Sequence, residues 1–292
     1  MVVQEETRFG WARFKILAFG GRRFSCPFCH CNWIGCFNLD DSMKNCIGIV
    51  GGVGPYAGLA LQQAILQLSN ANRDQDYPPV ISISAPHAIA DRTEFLLGKT
   101  SVNPAYEIVN QIKTLHSSGA RYIGIPCNTA HAEGIFSVIQ SGVGNLGEII
   151  LTNMIDETFK IIKAEKPDIK KVGVLATKGS YKSELFPQYG SKHNYDVCIP
   201  EEESLQDIIH QIIYDGEYGI KVLGYLHDRA RRDLETVFNY YKKKNINTVI
   251  LGCTELSVVF SNESKKGFVL INPIIALARQ LIAHQQENNQ LQ

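Results

Sequence analysis

From residue 46 onward, short apolar runs alternate with longer segments that carry apolar residues at helical spacing. Apolar runs of about 4–8 residues are typical of strands that are buried on both faces, as in parallel sheets. Strands that alternate with helices indicate βαβ units with right-handed crossovers. The runs predict one set of strands at 46–51, 80–84, 122–126 and 149–153, and a second set at 172–176, 195–199, 248–252 and 268–272.

Helices are predicted between these strands. The alternation of strands and helices predicts the fold class. We expect an α/β fold with two Rossmann-like lobes, each with a mainly parallel four-stranded sheet. Open α/β sheets bind ligands beyond the carboxyl ends of their strands, so a ligand site is expected in the cleft between the lobes. The predicted helices are 59–69, 104–117, 155–166, 180–189, 204–214, 223–244 and 274–285.

Residues 1–45 differ in composition from the rest of the chain. They contain both tryptophans, and no acidic residue lies between Glu6 and Asp40. They also show no clean strand or helix period, whereas the pattern becomes regular directly afterwards. We therefore predict an atypical N-terminal extension over 1–45, a first α/β lobe over 46–153 and a second α/β lobe over 154–272.

The N-terminal segment also holds a cluster of cysteines, which raises the question of zinc. The cluster has enough ligands for a zinc site, but its spacing is not that of a standard finger. An unstructured leader is the alternative, and no metal site is predicted for the working protein. The residues of the cluster are Cys26, Cys29, His30, Cys31 and Cys36.

The charge balance and the apolar runs limit the partners of the chain. The 29 basic and 29 acidic residues give a formal net charge of zero, which argues against a nucleic-acid or anionic-membrane surface. No apolar run approaches the roughly 20 residues that span a bilayer. The scattered Cys127, Cys198 and Cys253 are typical of reduced thiols. We expect a cytoplasmic protein without a nucleic-acid or membrane partner.

Two cysteines occupy matching positions in the two halves of the chain. Cys127 follows the strand predicted at 122–126, and Cys253 follows the strand predicted at 248–252. A thiol at a strand-to-helix turn faces helix N–H dipoles, which favour the thiolate. Two facing lobes place one thiol on each side of a small ligand. Such a pair suits the transfer of a proton from one face of a carbon to the other.

A glycine-rich turn follows the first predicted strand. Its Gly52-x-Gly54-x-x-Ala57 pattern satisfies the dinucleotide fingerprint, so an NAD(P)-linked enzyme is an alternative. The strand at 80–84, however, does not end in the acidic residue that would hold a ribose. The same turn can present the backbone N–H groups of Gly52 and Gly54 to a small carboxylate.

Four segments carry a family likeness, namely Gly51-Gly52-Val53-Gly54-Pro55, Asp91-Arg92-Thr93, Pro126-Cys127-Asn128-Thr129-Ala130-His131 and Leu251-Gly252-Cys253-Thr254-Glu255-Leu256. They resemble the aspartate/glutamate racemase family, and within it the aspartate racemases. Glutamate racemases carry a different context around both cysteines, without the proline before the first or the Glu-Leu pair after the second. The resemblance covers the whole chain except the N-terminal extension.

The resemblance implies an isomerase that interconverts L- and D-aspartate without pyridoxal phosphate, metal or another cofactor. It implies that Cys127 and Cys253 are the catalytic acid and base. It further implies a homodimer, and a C-terminal helix over 273–287 that packs back on the first lobe. The residues that it implies for binding a small dicarboxylic amino acid are Arg92, Asn128, Thr129, Lys221 and Thr254, with Gly52 and Gly54 of the glycine turn, and the supporting groups are His131 and Glu255.

One position departs from the family, and several alternatives stay open. Gly58 stands where aspartate racemases usually have threonine, which removes a hydroxyl near the substrate end of the glycine turn. A broad-specificity amino-acid racemase or a related isomerase is therefore the alternative within the family. A small-carboxylate-binding protein also has two α/β lobes, but it has no use for paired thiols. For a thiol hydrolase, no His–Asn or His–Asp arrangement stands out.

Overall fold

Eight parallel strands form two sheets of four in the computed structural model, which describes residues 45–260 and 265–289, with side chains up to residue 287. The first sheet contains β1 (Cys46–Val50), β2 (Val80–Ile83), β3 (Ala120–Gly124) and β4 (Ile150–Thr152). The second contains β5 (Lys171–Ala176), β6 (Asp196–Cys198), β7 (Thr248–Gly252) and β8 (Val269–Ile271).

The two sheets have the same topology. Their orders are β2-β1-β3-β4 and β6-β5-β7-β8, and every pairing is parallel. All residues of the inner strands β1 and β7 are buried, whereas the outer strands β2, β4, β6 and β8 are partly exposed. Continuous apolar runs therefore mark the inner strands. The predicted fold class of two α/β lobes with parallel four-stranded sheets is confirmed.

Twelve α-helices surround the sheets in the part of the chain that the structure describes. We call β1–β4 with α1–α4 the first lobe, and β5–β8 with α6–α11 the second lobe. The helices are α1 (Pro55–Leu68), α2 (Arg92–Leu97), α3 (Ala105–Ser117), α4 (Glu133–Val143), α5 (Met154–Glu165), α6 (Lys178–Lys182), α7 (Leu185–Lys192), α8 (Glu203–Tyr214), α9 (Ile220–Leu223), α10 (Asp228–Lys243), α11 (Thr254–Val259) and α12 (Pro273–Asn289).

Two predicted helices differ from the observed ones. The segment predicted at 180–189 divides into α6 and α7 because Glu184 adopts a left-handed φ of 52°. The helix predicted at 223–244 begins only at Asp228, as α10, because Gly224 ends the short α9 with a φ of 72°. Left-handed residues are common at helix ends, and glycine adopts them without a steric penalty.

Three helices are missed by the sequence prediction. The helices α2 and α11 have six residues each, which is too short to show a helical period. The helix α4 contains Gly134 and Gly142, which lower its helix propensity. A Cβ at Gly142 would lie 2.7 Å from Val109 of α3, so that glycine allows the two helices to pack closely.

The last helix lies beside the first sheet. Ile274, Leu277 and Leu281 of α12 share a hydrophobic cluster with β1 and α1. A Cβ at Gly124 would lie 2.7 Å from Leu281, so the absence of a side chain there lets α12 approach β3. All described residues belong to one compact unit, and the lobe boundaries at 46–153 and 154–272 stay predictions.

Two further expectations concern the N-terminal extension and membrane-spanning helices. The N-terminal extension over 1–45 and its cluster of Cys26, Cys29, His30, Cys31 and Cys36 lie outside the described residues, apart from Asn45. Among the helices in the described ranges, none combines the length and the apolar character that a membrane span requires.

Candidate active site

Both cysteines lie just beyond the carboxyl ends of inner strands. Cys127 follows β3 and precedes a 3₁₀ turn over Asn128–His131, while Cys253 directly follows β7 and is the N-cap of α11. Both are free thiols and are nearly buried, with exposed fractions of 7% for Cys127 and 5% for Cys253. Repetition of the same strand order therefore carries each thiol to the same edge of its own sheet.

The two thiols line one cavity between the lobes. Its volume of about 10 Å³ leaves room for roughly one water molecule, so a larger ligand requires the lining groups to move apart. Most of the residues predicted to act on a ligand meet here. The lining residues are Val53, Arg92, Cys127, Asn128 and Thr129 from the first lobe, and Thr177, Tyr214, Lys221, Cys253, Thr254 and Glu255 from the second.

The second thiol belongs to a chain of acidic and basic groups. The Cys253 thiol donates to Oε2 of Glu255 at 2.8 Å, and the Lys221 ammonium pairs with Oε1 of the same carboxylate. Burial alone would raise the pKa of Glu255, but Lys221 and Cys253 lower it to about 2. Burial and the Glu255 charge raise the pKa of Cys253 well above its usual range, and Lys221 opposes them only in part. Cys253 is therefore a neutral thiol in this arrangement.

Arg92 occupies the corresponding place beside the first thiol. Arg92 is 9% exposed, and its guanidinium donates to the Val53 carbonyl and, at 3.3 Å, to the Ala90 carbonyl. Burial lowers the pKa of Arg92, but the charges of Cys127, Asp91 and other neighbours raise it above its ordinary value. The guanidinium stays charged, and its Nε has no hydrogen-bond partner among the described residues.

Asn128 presents a polar group with unmet hydrogen-bonding capacity to the cavity. Its side chain is 1% exposed, and neither Nδ2 nor Oδ1 has a hydrogen-bond partner within the described ranges. A buried amide without partners costs about 1–3 kcal/mol per group. A bound molecule with polar atoms can satisfy the amide, which fits the substrate-contacting role predicted for Asn128.

Hydroxyl groups join the two lobes at the edge of the cavity. Thr129 of the first lobe lies 3.0 Å from Ser180 Oγ and 3.4 Å from Thr177 Oγ1 of the second lobe. Thr93 donates to Thr177 at 3.1 Å, and the Tyr214 hydroxyl lies 3.2 Å from Thr93 Oγ1. All of these hydroxyls except that of Tyr214 belong to buried residues, so they hold the lobes in register.

Close packing at one glycine brings these hydroxyls together. A Cβ at Gly179 of α6 would lie 2.8 Å from the Thr93 Cα of α2. Real Cβ atoms essentially never approach so closely, and here the neighbour is backbone. Gly179 therefore sets how near the two lobes come to each other.

His131 acts on the backbone of the Cys127 turn and does not line the cavity. Its Nδ1 lies 2.9 Å from the Cys127 carbonyl, and its Nε2 lies 3.3 Å from the Met154 amide. A carbonyl can only accept and an amide can only donate, so the ring is neutral with its proton on Nδ1. Burial lowers the pKa of His131 to about 4, which agrees with the neutral form. The structure places this predicted supporting residue as a clamp between the turn and α5.

The glycines of the turn have packing roles. A Cβ at Gly52 would lie 2.6 Å from the Ala85 amide nitrogen, so this glycine allows the turn to pack on the backbone that follows β2. A Cβ at Gly54 would lie 3.6 Å from Oε1 of Glu255. Neither glycine is among the lining residues of the cavity. The predicted substrate contacts of Gly52 and Gly54 therefore stay a prediction.

Gly58 has a packing role. A Cβ at position 58 would lie 2.7 Å from the Cα of Gly51, so the glycine allows α1 to pack on the turn after β1. Gly58 is not a lining residue of the cavity, and its bearing on substrate preference stays a prediction.

Three lining residues were not predicted from the sequence. Thr177 directly follows β5, which is the same position that Cys253 has after β7, so its place at a strand end was a usable signal. Tyr214 is the last residue of α8, and its ring continues the apolar face of that helix. The sequence pattern therefore indicates a packing residue and gives no sign of a role for its hydroxyl. Val53 lies inside the glycine turn and contributes the carbonyl that Arg92 binds.

No group of three or more histidine, cysteine, aspartate or glutamate side chains within the described ranges could hold a metal ion. The side chains of the cavity are instead two thiols, two cations, one carboxylate and several hydroxyl and amide groups. These groups can bind carboxylates and transfer protons. The arrangement suits acid–base chemistry on a small anionic or zwitterionic molecule.

The chain is similar to known racemases. A family model described as Asp/Glu/Hydantoin racemase matches residues 50–281. The chain is similar to the broad specificity amino-acid racemase RacX of Bacillus subtilis (strain 168), with 24% identity over 222 residues, which cover 74% of this chain and 88% of the relative. It is also similar to the solved aspartate racemase of Picrophilus torridus, with a TM-score of 0.66 and 29% identity over 83% of this chain and 95% of the other. A glutamate racemase from Francisella tularensis subsp. tularensis SCHU S4 in complex with D-glutamate shares the fold, with a TM-score of 0.61 and 19% identity over 85% and 83% of the two chains.

Proposed function

Because the chain belongs to the Asp/Glu/hydantoin racemase family, we propose that it is an amino-acid racemase in which Cys127 and Cys253 transfer the α-proton. One observation carries the proposal: the two thiols come from different lobes and line the same cavity. Inversion at an α-carbon removes a proton from one face and delivers a proton to the other. Groups on both sides of the bound carbon are therefore required.

The proposed reaction begins with one thiolate and one thiol. The thiolate takes the proton from the α-carbon, and the electron pair of the broken C–H bond stays on the carbon. The opposite thiol then gives its proton to the other face and becomes a thiolate. One proton has left one face of the α-carbon and another has been added at the opposite face, so the substrate is inverted and the total charge is unchanged. General acid–base steps of this kind contribute about 10²–10⁴-fold to a rate.

The side chains around the thiols support the carbanion. Arg92 is buried and Lys221 is partly buried, and both cations line the cavity. Their charge lowers the cost of negative charge on a bound carboxylate and its α-carbon. The Asn128 amide, which has no hydrogen-bond partner among the described residues, can bind a carboxylate or an α-ammonium group. This chemistry uses only groups of the chain, so we propose that it proceeds without pyridoxal phosphate, metal or another cofactor.

We propose aspartate as the preferred substrate. Two cations in the cavity match the two carboxylates of a dicarboxylic amino acid, and the similar structure from Picrophilus torridus is an aspartate racemase. A broad-specificity racemase is the second candidate. It is favoured by the ion pair of Lys221 with Glu255, which a distal carboxylate would have to displace, and by the similarity to RacX.

We further propose a cytoplasmic homodimer. The described cysteines are free thiols, as a reducing compartment would keep them. Large apolar side chains are exposed on α1 and around α9, and Gly224 lies against the Tyr56 ring, so the two groups adjoin. Extended apolar patches on a surface are typical of protein contacts. The exposed residues are Tyr56, Leu59, Leu66, Val222 and Tyr225.

The test is racemisation in D2O without pyridoxal phosphate. The purified protein is incubated with L-aspartate, L-glutamate or a neutral amino acid, while NMR follows loss of the α-proton and chiral chromatography follows the enantiomer ratio. We expect deuterium incorporation together with growth of D-aspartate. Cys198→Ser should behave as the wild type, because that thiol does not line the cavity. Binding of these amino acids without any exchange would contradict the proposal and favour a carboxylate-binding protein.

A further inference from the structure

Glu255 uses both of its carboxylate oxygens within the site. Oε2 accepts the Cys253 thiol at 2.8 Å and lies 3.4 Å from the Thr254 hydroxyl, while Oε1 pairs with Lys221. Glu255 is 6% exposed, so water competes little for these contacts. A carboxylate held from two sides has one position, and that position is against the sulfur of Cys253.

The titratable groups near Cys253 come from several elements. Glu255 lies on the same helix, Lys221 lies on α9, and the hydroxyls of Tyr181 and Tyr214 approach from α6 and α8. Burial raises the pKa of both tyrosines, so they are neutral. The thiol is thus a donor to the one anion among these groups, and its thiolate would face that anion directly.

Cys127 has a different partner. Arg92 and Cys127 line the same cavity, and the Cys127 sulfur is one of the groups that raise the pKa of Arg92. A negative sulfur at Cys127 would therefore lie near a cation, whereas a negative sulfur at Cys253 would lie against the Glu255 carboxylate. The two thiols are equivalent in topology and unequal in charge environment.

We propose that Glu255 is a positioning residue that keeps Cys253 protonated between turnovers, so that Cys253 is the proton donor of the resting enzyme and Cys127 is the acceptor. This inference rests on the proposed racemase function. In the favoured direction, the Cys127 thiolate takes the α-proton and the Cys253 S–H bond breaks to protonate the opposite face. The product form then has a Cys253 thiolate beside Glu255, and proton exchange with solvent restores the resting form.

The proposal predicts unequal kinetics for the two enantiomers. One enantiomer reacts with the abundant resting form, and the other requires the scarce form with a Cys253 thiolate. Because enantiomers have equal free energies, kcat/KM must be the same for both. We therefore expect kcat and KM to differ between the enantiomers by the same factor.

The direct test measures the protonation of Cys253 without substrate. The protein is alkylated with iodoacetamide over about pH 6–11, and mass spectrometry follows the tryptic peptide 245–265, which contains Cys253 as its one cysteine. In the wild type we expect a midpoint above the value of about 8.5 for a free thiol. In Glu255→Gln the midpoint should fall by about 1–3 pH units, the usual effect of removing a nearby like charge.

Matched variants separate the charge of Glu255 from a general structural effect. Glu235→Gln removes a carboxylate that pairs with Lys265 on the surface, so it should leave the Cys253 midpoint unchanged. Glu255→Asp keeps the charge and should retain part of the raised midpoint. The Cys127 peptide, 122–160, serves as an internal reference whose profile should not move in Glu255→Gln.

Two outcomes would overturn the inference. One is a wild-type Cys253 midpoint at or below that of a free thiol, which needs no variant to fold. The other is an unchanged midpoint in a folded Glu255→Gln protein. If the Glu255→Gln protein is active, the ratio of its kcat values for the two enantiomers should differ from that of the wild type. Loss of a residue with only a structural role would not change this ratio. Since alkylation requires no turnover, its result is independent of whether the wild type racemises aspartate.

Discussion

Cys127 and Cys253 each follow an inner strand of a parallel sheet, but their surroundings differ in two respects. Cys127 begins a 3₁₀ turn that His131 clamps to the start of α5, whereas Cys253 caps α11 directly. The cation Arg92 faces Cys127, whereas the carboxylate of Glu255 accepts the Cys253 thiol. Repeated topology thus sets where a reactive group lies, and the residues that do not repeat set its protonation.

The largest effect is expected from the cation beside the first thiol. Arg92→Lys keeps the charge, but lysine cannot reproduce a guanidinium that binds two carbonyls and faces Cys127. We expect a loss of about 10²–10³-fold in kcat/KM, as when one electrostatic contact to a transition state is removed. Steady-state racemisation measures the loss. Arg121→Lys, at a surface ion pair with Glu148, is the control, and equal losses in both variants would contradict the assignment.

A smaller effect is expected where the lobes touch. Gly179→Ala places a Cβ 2.8 Å from the Thr93 Cα and should hold α6 away from α2. Overpacking of this kind costs about 1–3 kcal/mol, so both kcat and thermal stability should fall. Gly134→Ala is a matched control, because no atom lies within 4 Å of the added Cβ. Wild-type kinetics in Gly179→Ala would show that the approach of α6 to α2 does not limit catalysis.

His131 and Glu255 should lose their contributions to the stability of the fold in different pH ranges. His131 has a pKa lowered from 6.5 to about 4, so its neutral form stabilises the fold above pH 6.5 and this stability is lost as the pH falls towards 4. Glu255 has a pKa lowered from 4.5 to about 2, so its contribution is complete above pH 4.5 and is lost towards pH 2. Denaturant unfolding as a function of pH should therefore show two windows. His131→Gln should flatten only the upper window and Glu255→Gln only the lower, and the reverse pattern would contradict the assignment.

The smallest effect is expected from one hydroxyl contact between the lobes. Tyr214→Phe removes the hydroxyl that lies 3.2 Å from Asp91 Oδ2 and 3.2 Å from Thr93 Oγ1. We expect a loss of about 0.5–1.5 kcal/mol in unfolding free energy and less than about tenfold in kcat/KM. A double-mutant cycle with Thr93→Val measures the pairwise part. Strict additivity in that cycle would show that the two hydroxyls do not interact.

The fold was largely predictable from the sequence because buried parallel strands leave continuous apolar runs. The strand β7, at Thr248–Gly252, lies where it was predicted, and each remaining predicted strand overlaps an observed one. Short helices were not predictable, because α2 and α11 end before a helical period can be seen. The break at Glu184 was also hidden, since a left-handed residue other than glycine leaves no compositional mark.

The site was predictable where residue type and strand end coincide. Cys127 and Cys253 met both conditions. Arg92 and Lys221 were predicted from the family resemblance, and the structure places them in the same cavity as the thiols. Tyr214 met neither condition, because its hydroxyl acts across the lobes while its ring belongs to an apolar face. Contacts between residues 121 positions apart cannot be deduced from local spacing.

The central claim is that the two thiols act on opposite faces of one carbon. The most direct measurement is α-proton exchange in D2O for each aspartate enantiomer, separately with Cys127→Ser and with Cys253→Ser. We expect neither variant to racemise, and each to lose exchange with a different enantiomer, because each keeps the thiol of one face only. Loss of exchange with the same enantiomer in both variants, or continued racemisation by either, would contradict the claim.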